Sequence, residues 1–276
     1  MFDRAFGGEE HRPFTLTGSN GAAVVLVHGF PGTPFKMRPL ADALHADGWT
    51  AHAPLLPGFG SGIARLDSMS MSDWQGAIAC AIETLRRDHD RLLLLGHSMG
   101  GALSIAVAAA QPPDRLLLIA PFWELDSPLW KLLPILSPVI REIKPFSLTR
   151  MNFNDPETRA GIRQFMPDAD LDDPQVQDAI VKFPIKTRIF DQVRRVGQAG
   201  YDAAPTVTAP TLVLQGDADD LVKPGKTRVL AGRLRAQYIE LPGPHNINEP
   251  RYTSWERVKG HVLTFARALA PVTAHD

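Results

Sequence analysis

A single cysteine, Cys80, excludes any disulfide within this 276-residue chain. Its neighbours Ala79 and Ala81 continue a helical apolar pattern, which predicts a buried structural thiol. An excess of one charge is also missing. Lys and Arg number 29 against 30 Asp and Glu, the formal net charge is −1, and no basic stripe is visible. That excludes the electrostatic footprint of a nucleic-acid binder. No run approaches the ~18 uninterrupted apolar residues of a membrane span, so no stable membrane insertion is expected. The opening stretch MFDRAFGGEEHRPF has no signal-peptide core, and the expected compartment is the cytoplasm. The histidines show no H-E-x-x-H spacing, and Gly58 to Gly62 fits neither a phosphate-binding loop nor a dinucleotide fingerprint. Neither a metal nor a cofactor is expected. Repeats and low-complexity tracts are absent too.

What is present is an ordinary globular composition, 44% hydrophobic and 21% charged. It is arranged as short apolar runs alternating with amphipathic stretches. Ala22 to Val27, Thr50 to Leu56, Leu92 to Leu95, Arg115 to Ala120, Thr211 to Gln215 and Gln237 to Leu241 read as strands. Pro39 to Asp47, Ser72 to about Arg87, Gly225 to Leu234 and Thr253 to Leu269 read as helices between or after them. This alternation predicts a doubly wound, mostly parallel sheet. It stops between about Trp123 and Tyr201, where prolines punctuate short helical patterns such as Gln175 to Lys182 and Lys186 to Val196. The expected organisation is a core formed by 1–122 and 202–276, with 123–201 inserted as a mainly helical cap. The insertion leaves and rejoins the core where active sites of such sheets lie, outside the carboxyl ends of the strands.

The most informative stretch is Leu92 to Ala110. Four leucines run into Gly96-His97-Ser98-Met99-Gly100, and an alanine-rich helix follows. This is a G-x-S-x-G elbow in the strand–turn–helix context it requires. Gly96 and Gly100 leave room for a tight turn that projects the Ser98 hydroxyl from the end of the sheet. A serine hydroxyl needs a base, and the base needs a carboxylate to orient it. Where serine sits on such an elbow, the acid and then the histidine follow in chain order. His245, just past the last strand, is the candidate base; His261 falls in the last helix and His275 on the tail. Asp217, Asp219 and Asp220 all follow the strand Thr211 to Gln215, and spacing does not choose among them. One could orient His245, one could cap a turn and one could be solvated. An acyl-transfer site also needs N–H donors for an oxyanion. Met99, after the serine, and Phe30, in the His28-Gly29-Phe30-Pro31-Gly32 loop, are the candidates.

Taken together the chain resembles the α/β-hydrolase superfamily, and within it the bacterial carboxylesterase and monoacylglycerol lipase family. The resemblance is carried by HGFPGTP, by His52-Ala53-Pro54 with LLPGFG, by Ser72-Asp73-Trp74, and by Phe183 to Thr187 with APTLVLQGDADDLVKP. Pro244 stands where that family places a glycine before the histidine. The resemblance implies an α/β-hydrolase fold. It also implies hydrolysis of a carboxylic ester through an acyl-enzyme on Ser98, with Asp219 as the acid and Asp217 second. The same triad would serve a thioesterase, a carbon–carbon bond hydrolase or a perhydrolase, and a non-catalytic ligand receptor is the alternative outside enzymes. The expected partner is a small-molecule ester with an apolar acyl group. Trp130, Leu133 and Leu136, in the apolar start of the insertion, are candidates for contacting it, or for packing the cap onto the sheet.

Overall fold

In the computed structural model, residues 8–125, 130, 132, 134–135, 140–144, 151–163, 170–182 and 185–269 are described. Leu133, Leu136, Phe183, Pro184 and His275 lie outside them. The chain folds around a seven-stranded sheet. Its strands are β1 (Phe14–Leu16), β2 (Ala22–Val27), β3 (Thr50–Ala53), β4 (Arg91–His97), β5 (Arg115–Ile119), β8 (Thr211–Gly216) and β9 (Gln237–Leu241), in the order β1-β3-β2-β4-β5-β8-β9. Only β1 runs antiparallel to its neighbour, β3. The sheet is flanked by helices α1 (Arg38–Ala46), α2 (Met71–Leu85), α3 (Met99–Ala110), α6 (Thr187–Ala203), α7 (Pro224–Leu234) and α8 (Trp255–Arg267).

Strand periodicity divides the interior. Successive side chains point to opposite faces, so the leucines of β4 serve two cores. Leu92 and Leu94 join Trp74 and Ile78 of α2 and Leu103 of α3 on one face. Leu93 and Leu95 join Leu40 and Leu44 of α1 and Val258 and Val262 of α8 on the other. All four are fully buried, each stabilising the fold by about 2 kcal/mol relative to an exposed leucine. Continuous apolar runs are the mark of strands covered on both sides.

The chain winds from β2 to β3 in one direction and then crosses to β4 on the other side of β2. The loops after β2 and β4 therefore diverge from adjacent strand ends, the place where such sheets open a crevice. Between β5 and α6 the described elements are α4 (Pro156–Arg163), α5 (Pro174–Val181) and a two-residue antiparallel ribbon, β6 (Glu142–Ile143) with β7 (Ile185–Lys186). Phe153, Ile162, Leu171 and Ile180 form a small apolar cluster of their own there. The second half of α6 lies on α3. A Cβ at Gly200 would sit 2.8 Å from the Ala102 carbonyl, and one at Gly197 would sit 2.3 Å from the Trp123 carbonyl.

Two expectations need correction. Cys80 is exposed, not buried. The inward face of α2 is taken by Trp74, Ile78, Ala81, Ile82 and Leu85, and position 80 falls on the opposite side of the turn. The strand expected to reach Leu56 ends at Ala53, because Pro54 has no N–H to continue the ladder.

Candidate active site

The elbow follows β4 directly. Ser98 has φ 54° and ψ −122°, a backbone conformation that a non-glycine residue holds only where its surroundings enforce it. The enforcement is visible around it. The Ser98 N–H donates to the Ile119 carbonyl at 3.0 Å, and the Ser98 carbonyl accepts from Gly101, Ala102 and Phe122 N–H groups. A Cβ at Gly100 would lie 2.4 Å from the carbonyls of Val27 and His28, and one at Gly96 would lie 2.5 Å from the Gly100 carbonyl. Both glycines are therefore required by close backbone approach.

The loop after β2 passes beside the serine. A Cβ at Gly29 would be 2.9 Å from that of Ser98. His28 holds this loop. Its Nδ1–H donates to the Gly29 carbonyl at 3.0 Å, and its Nε2 accepts from Leu56 N–H at 3.2 Å. Complete burial lowers its pKa to about 4, against a weaker opposing bond to Gly29, and keeps the ring neutral. The N–H groups of Phe30 and Met99 have no hydrogen-bond partner among the described residues. That leaves two donors free on the loops flanking the Ser98 hydroxyl.

The structure brings Ser98, His245 and Asp219 into one chain of hydrogen bonds. His245 Nε2 is 2.9 Å from Ser98 Oγ, and His245 Nδ1 is 2.7 Å from Asp219 Oδ2. The loops carrying the acid and the histidine are zipped together: Asp217 N–H donates to Leu241 and Ala218 N–H to Gly243. The three aspartates take three different positions. Asp219 is 1% exposed, and its Oδ1 accepts from Leu221 and Val222 N–H at 2.9 and 2.8 Å. Asp217 accepts from Gly243 N–H at 3.0 Å and so closes the turn before the histidine. Asp220 points outward and pairs with Lys223. Burial works against the charge on Asp219, but the bonds from His245, Val222 and Gln215 outweigh it and hold its carboxyl below the usual range.

Sequence reasoning missed the residues that support this chain. The His97 ring lies 5.1 Å from the His245 ring at a tilt of 44°, and its Nε2–H donates to the His245 carbonyl at 3.4 Å. Burial and the neighbouring His245 lower its pKa to about 3, so it adds no charge beside the base. Lys36 reaches across to Glu249 at 2.8 Å, tying the loop after β2 to the histidine loop. A cavity of about 110 Å³ opens beside Ser98, lined by Phe30, Lys36, Leu221, Asn246 and Glu249 among others. Trp130 is buried against Phe122 at 5.4 Å. A polar residue within or directly after an apolar strand was the available signal for Gln215 and His97.

A mostly parallel sheet with a strained serine elbow, and with an aspartate and a histidine after its last two strands, defines an α/β-hydrolase. The model of the Hydrolase_4 family, serine aminopeptidase S33, matches residues 18–242, and the chain belongs to that family. Among curated proteins, it is 26% identical to a monoacylglycerol lipase of Mycolicibacterium smegmatis over 84% of this chain and 86% of that one. A thermostable monoacylglycerol lipase of Bacillus sp. is 36% identical over 32% of this chain, a match that spans only 36% of the relative. Among solved structures, the monoacylglycerol lipase of Paleococcus ferrophilus superposes with a TM-score of 0.69 at 21% identity, covering 92% of this chain and 97% of the other. The described helices include none long and apolar enough to cross a membrane.

Proposed function

We propose that this α/β-hydrolase cleaves carboxylic esters, in the manner of a carboxylesterase or monoacylglycerol lipase, through an acyl-enzyme on Ser98. The observation that carries the proposal is the hydrogen-bonded series Ser98 Oγ, His245, Asp219, at 2.9 and 2.7 Å, hung on a strained elbow. His245 Nε2 takes the hydroxyl proton as Ser98 Oγ attacks the ester carbonyl, and later returns it to the leaving alkoxide. Asp219 keeps the imidazole in the tautomer whose Nδ1 carries the proton, and it stabilises the imidazolium. The Phe30 and Met99 N–H groups receive the oxyanion. Water, activated by the same His245, then releases the acid. The names of the relatives, monoacylglycerol lipases among them, support the ester substrate class.

Residues 123–201 act as the cap in this reading. Phe190 of α6 meets Phe30 at 6.2 Å, and Phe30 meets Phe59 at 6.0 Å, so an aromatic wall stands where the insertion meets the oxyanion loop. Such a wall suits an apolar acyl group. The test is hydrolysis of nitrophenyl esters of increasing acyl length beside monoacylglycerols, with Ser98→Ala as control. Turnover that disappears in Ser98→Ala is the expected result. Absence of ester turnover in a protein whose Ser98 still reacts with a fluorophosphonate would overturn the ester assignment and direct attention to thioester and carbon–carbon substrates.

A further inference from the structure

Next to its last position strand β8 carries a residue that its surroundings do not call for. Thr211 to Gly216 is buried throughout. Alternation puts Gln215 on the same face as Val213, which belongs to the apolar cluster with Val222 and Leu230. An aliphatic side chain would serve packing there. Gln215 is instead a fully buried amide. Its Nε2 donates to Asp219 Oδ2 at 2.8 Å, and makes longer contacts to the carbonyls of Gly216 and Val222, each at 3.2 Å. Its Oε1 is buried with no partner among the described residues. All three neighbours of Nε2 are acceptors, so the amide cannot be turned over without facing oxygen to oxygen. A buried carbonyl left without a partner is costly, and its persistence calls for a reason.

We infer that Gln215 is a positioning residue for the Asp219–His245 pair, an inference that rests on the reading of Ser98, His245 and Asp219 as a working triad. Asp219 is gripped on both oxygens. Oδ1 is fixed by the Leu221 and Val222 N–H groups, and Oδ2 is shared between Gln215 Nε2 and His245 Nδ1. The Oδ1 bonds fix one side of the carboxylate and so already limit rotation about Cβ–Cγ. The Gln215 amide adds a restraint on the other oxygen, Oδ2, and so steadies its aim at the imidazole. Gln215 is not among the residues lining the cavity beside Ser98, so its effect falls on the chemical step and not on binding.

The test replaces Gln215 by Leu and by Met, which remove the donor while filling the space. Turnover of a nitrophenyl ester is measured against pH, with thermal stability alongside. The titratable and charged groups around His245 are Asp219, His97 and the paired Lys36 and Glu249, and neither substitution alters them. The inference predicts that kcat falls about tenfold with KM within about twofold, since a carboxylate no longer aimed at its histidine loses orientation. It predicts that the pH profile of kcat/KM shifts, because Asp219 Oδ2 loses one of its two donors. It predicts melting temperatures at or above the parent value, because the partnerless Oε1 is gone. In an Asp219→Asn background the same substitutions lose most of their effect on kcat. In the unmutated protein, phosphonylation of Ser98 shifts the side-chain amide resonance of Gln215, a readout that needs no variant to fold. An unchanged pH profile with kcat and stability falling together would overturn the inference, as would a full tenfold loss in the Asp219→Asn background or an unmoved amide resonance. If the parent shows no Ser98-dependent turnover, the triad reading fails and this inference falls with it. If the parent turns over and the Gln215 variants match it, this inference alone fails.

Discussion

The carboxyl end of the sheet and the segment between β5 and α6 are held together in different ways. At the sheet end, Ser98, Asp219, His28 and His97 are each buried, and each has a side-chain polar atom bonded to a named partner on another loop. Fully buried leucines lie directly beneath them. In that segment, the described elements are a pair of two-turn helices, a two-residue ribbon and one small apolar cluster. Its contacts to the core near β7 are exposed ones. Lys186 bonds Asp67, and Arg188 bonds the Asp67 carbonyl. Leu132 and Ile135 are exposed there. The difference teaches where chemistry and selectivity can be separated. A triad needs sub-ångström placement and takes it from a scaffold that cannot shift, whereas a cover over an acyl group needs only a suitable apolar surface.

The largest effects are expected at the sheet end. Ser98→Ala and His245→Ala each lower kcat by about 10⁴-fold or more, and Asp219→Asn by about 10³- to 10⁴-fold, in steady-state ester hydrolysis. Asp217→Ala and Asp220→Ala change it by less than about threefold, because one closes a turn and the other faces solvent. A large loss at Asp220 with none at Asp219 would break the assignment of the acid. Next in size is Gly100→Ala, which drives a Cβ into two carbonyls of β2 and its loop. It costs about 3 kcal/mol or more, measurable as a drop of about 6–12 °C in melting temperature.

Those two expectations also mark how far the sequence could be read. The elbow, its two glycines and His245 stand out because the motif depends on local spacing and on sterics that any chain must obey. The strands β2, β4, β5 and β8 stand out because burial on both faces leaves continuous apolar runs. The choice among Asp217, Asp219 and Asp220 was not legible from spacing, since it is set by which way a loop turns to meet a second loop 26 residues later. Strand β1 was missed because three residues at an edge, paired antiparallel to β3, carry too little pattern. Gln215, His97 and Lys36 were missed because their roles exist only across the fold. The surface position of Cys80 escaped because alanine neighbours favour helix without saying which side faces inward.

Smaller effects sharpen the comparison through pH. His28 and His97 are neutral when folded, with pKa values of about 4 and about 3, below the 6.5 of an unfolded histidine. Stability is therefore fully present above pH ~6.5 and falls as pH drops towards 4 and then 3, where the unfolded chain takes up protons that the fold refuses. Urea denaturation between pH 7 and 4 measures this slope, and His28→Gln flattens it. Asp219 has a linkage of the same sign at lower pH: its depressed carboxyl adds stability above about pH 4 that is lost only on further acidification. The smallest effects belong to the insertion. Trp130→Ala and Phe190→Ala change the preferred acyl length and KM by a few fold while leaving the rate of Ser98 phosphonylation within about twofold. An equal loss of phosphonylation would make the insertion part of the catalytic scaffold and erase the contrast.

The central claim is that Ser98 is the nucleophile, and the most direct measurement is intact-protein mass spectrometry after exposure to a fluorophosphonate, followed by mapping of the modified peptide. The account predicts one adduct per chain, on the peptide bearing Gly96 to Gly100, formed rapidly at neutral pH, absent in Ser98→Ala and strongly slowed in His245→Ala. A folded protein that takes up no adduct, or takes it up elsewhere than Ser98, would contradict it.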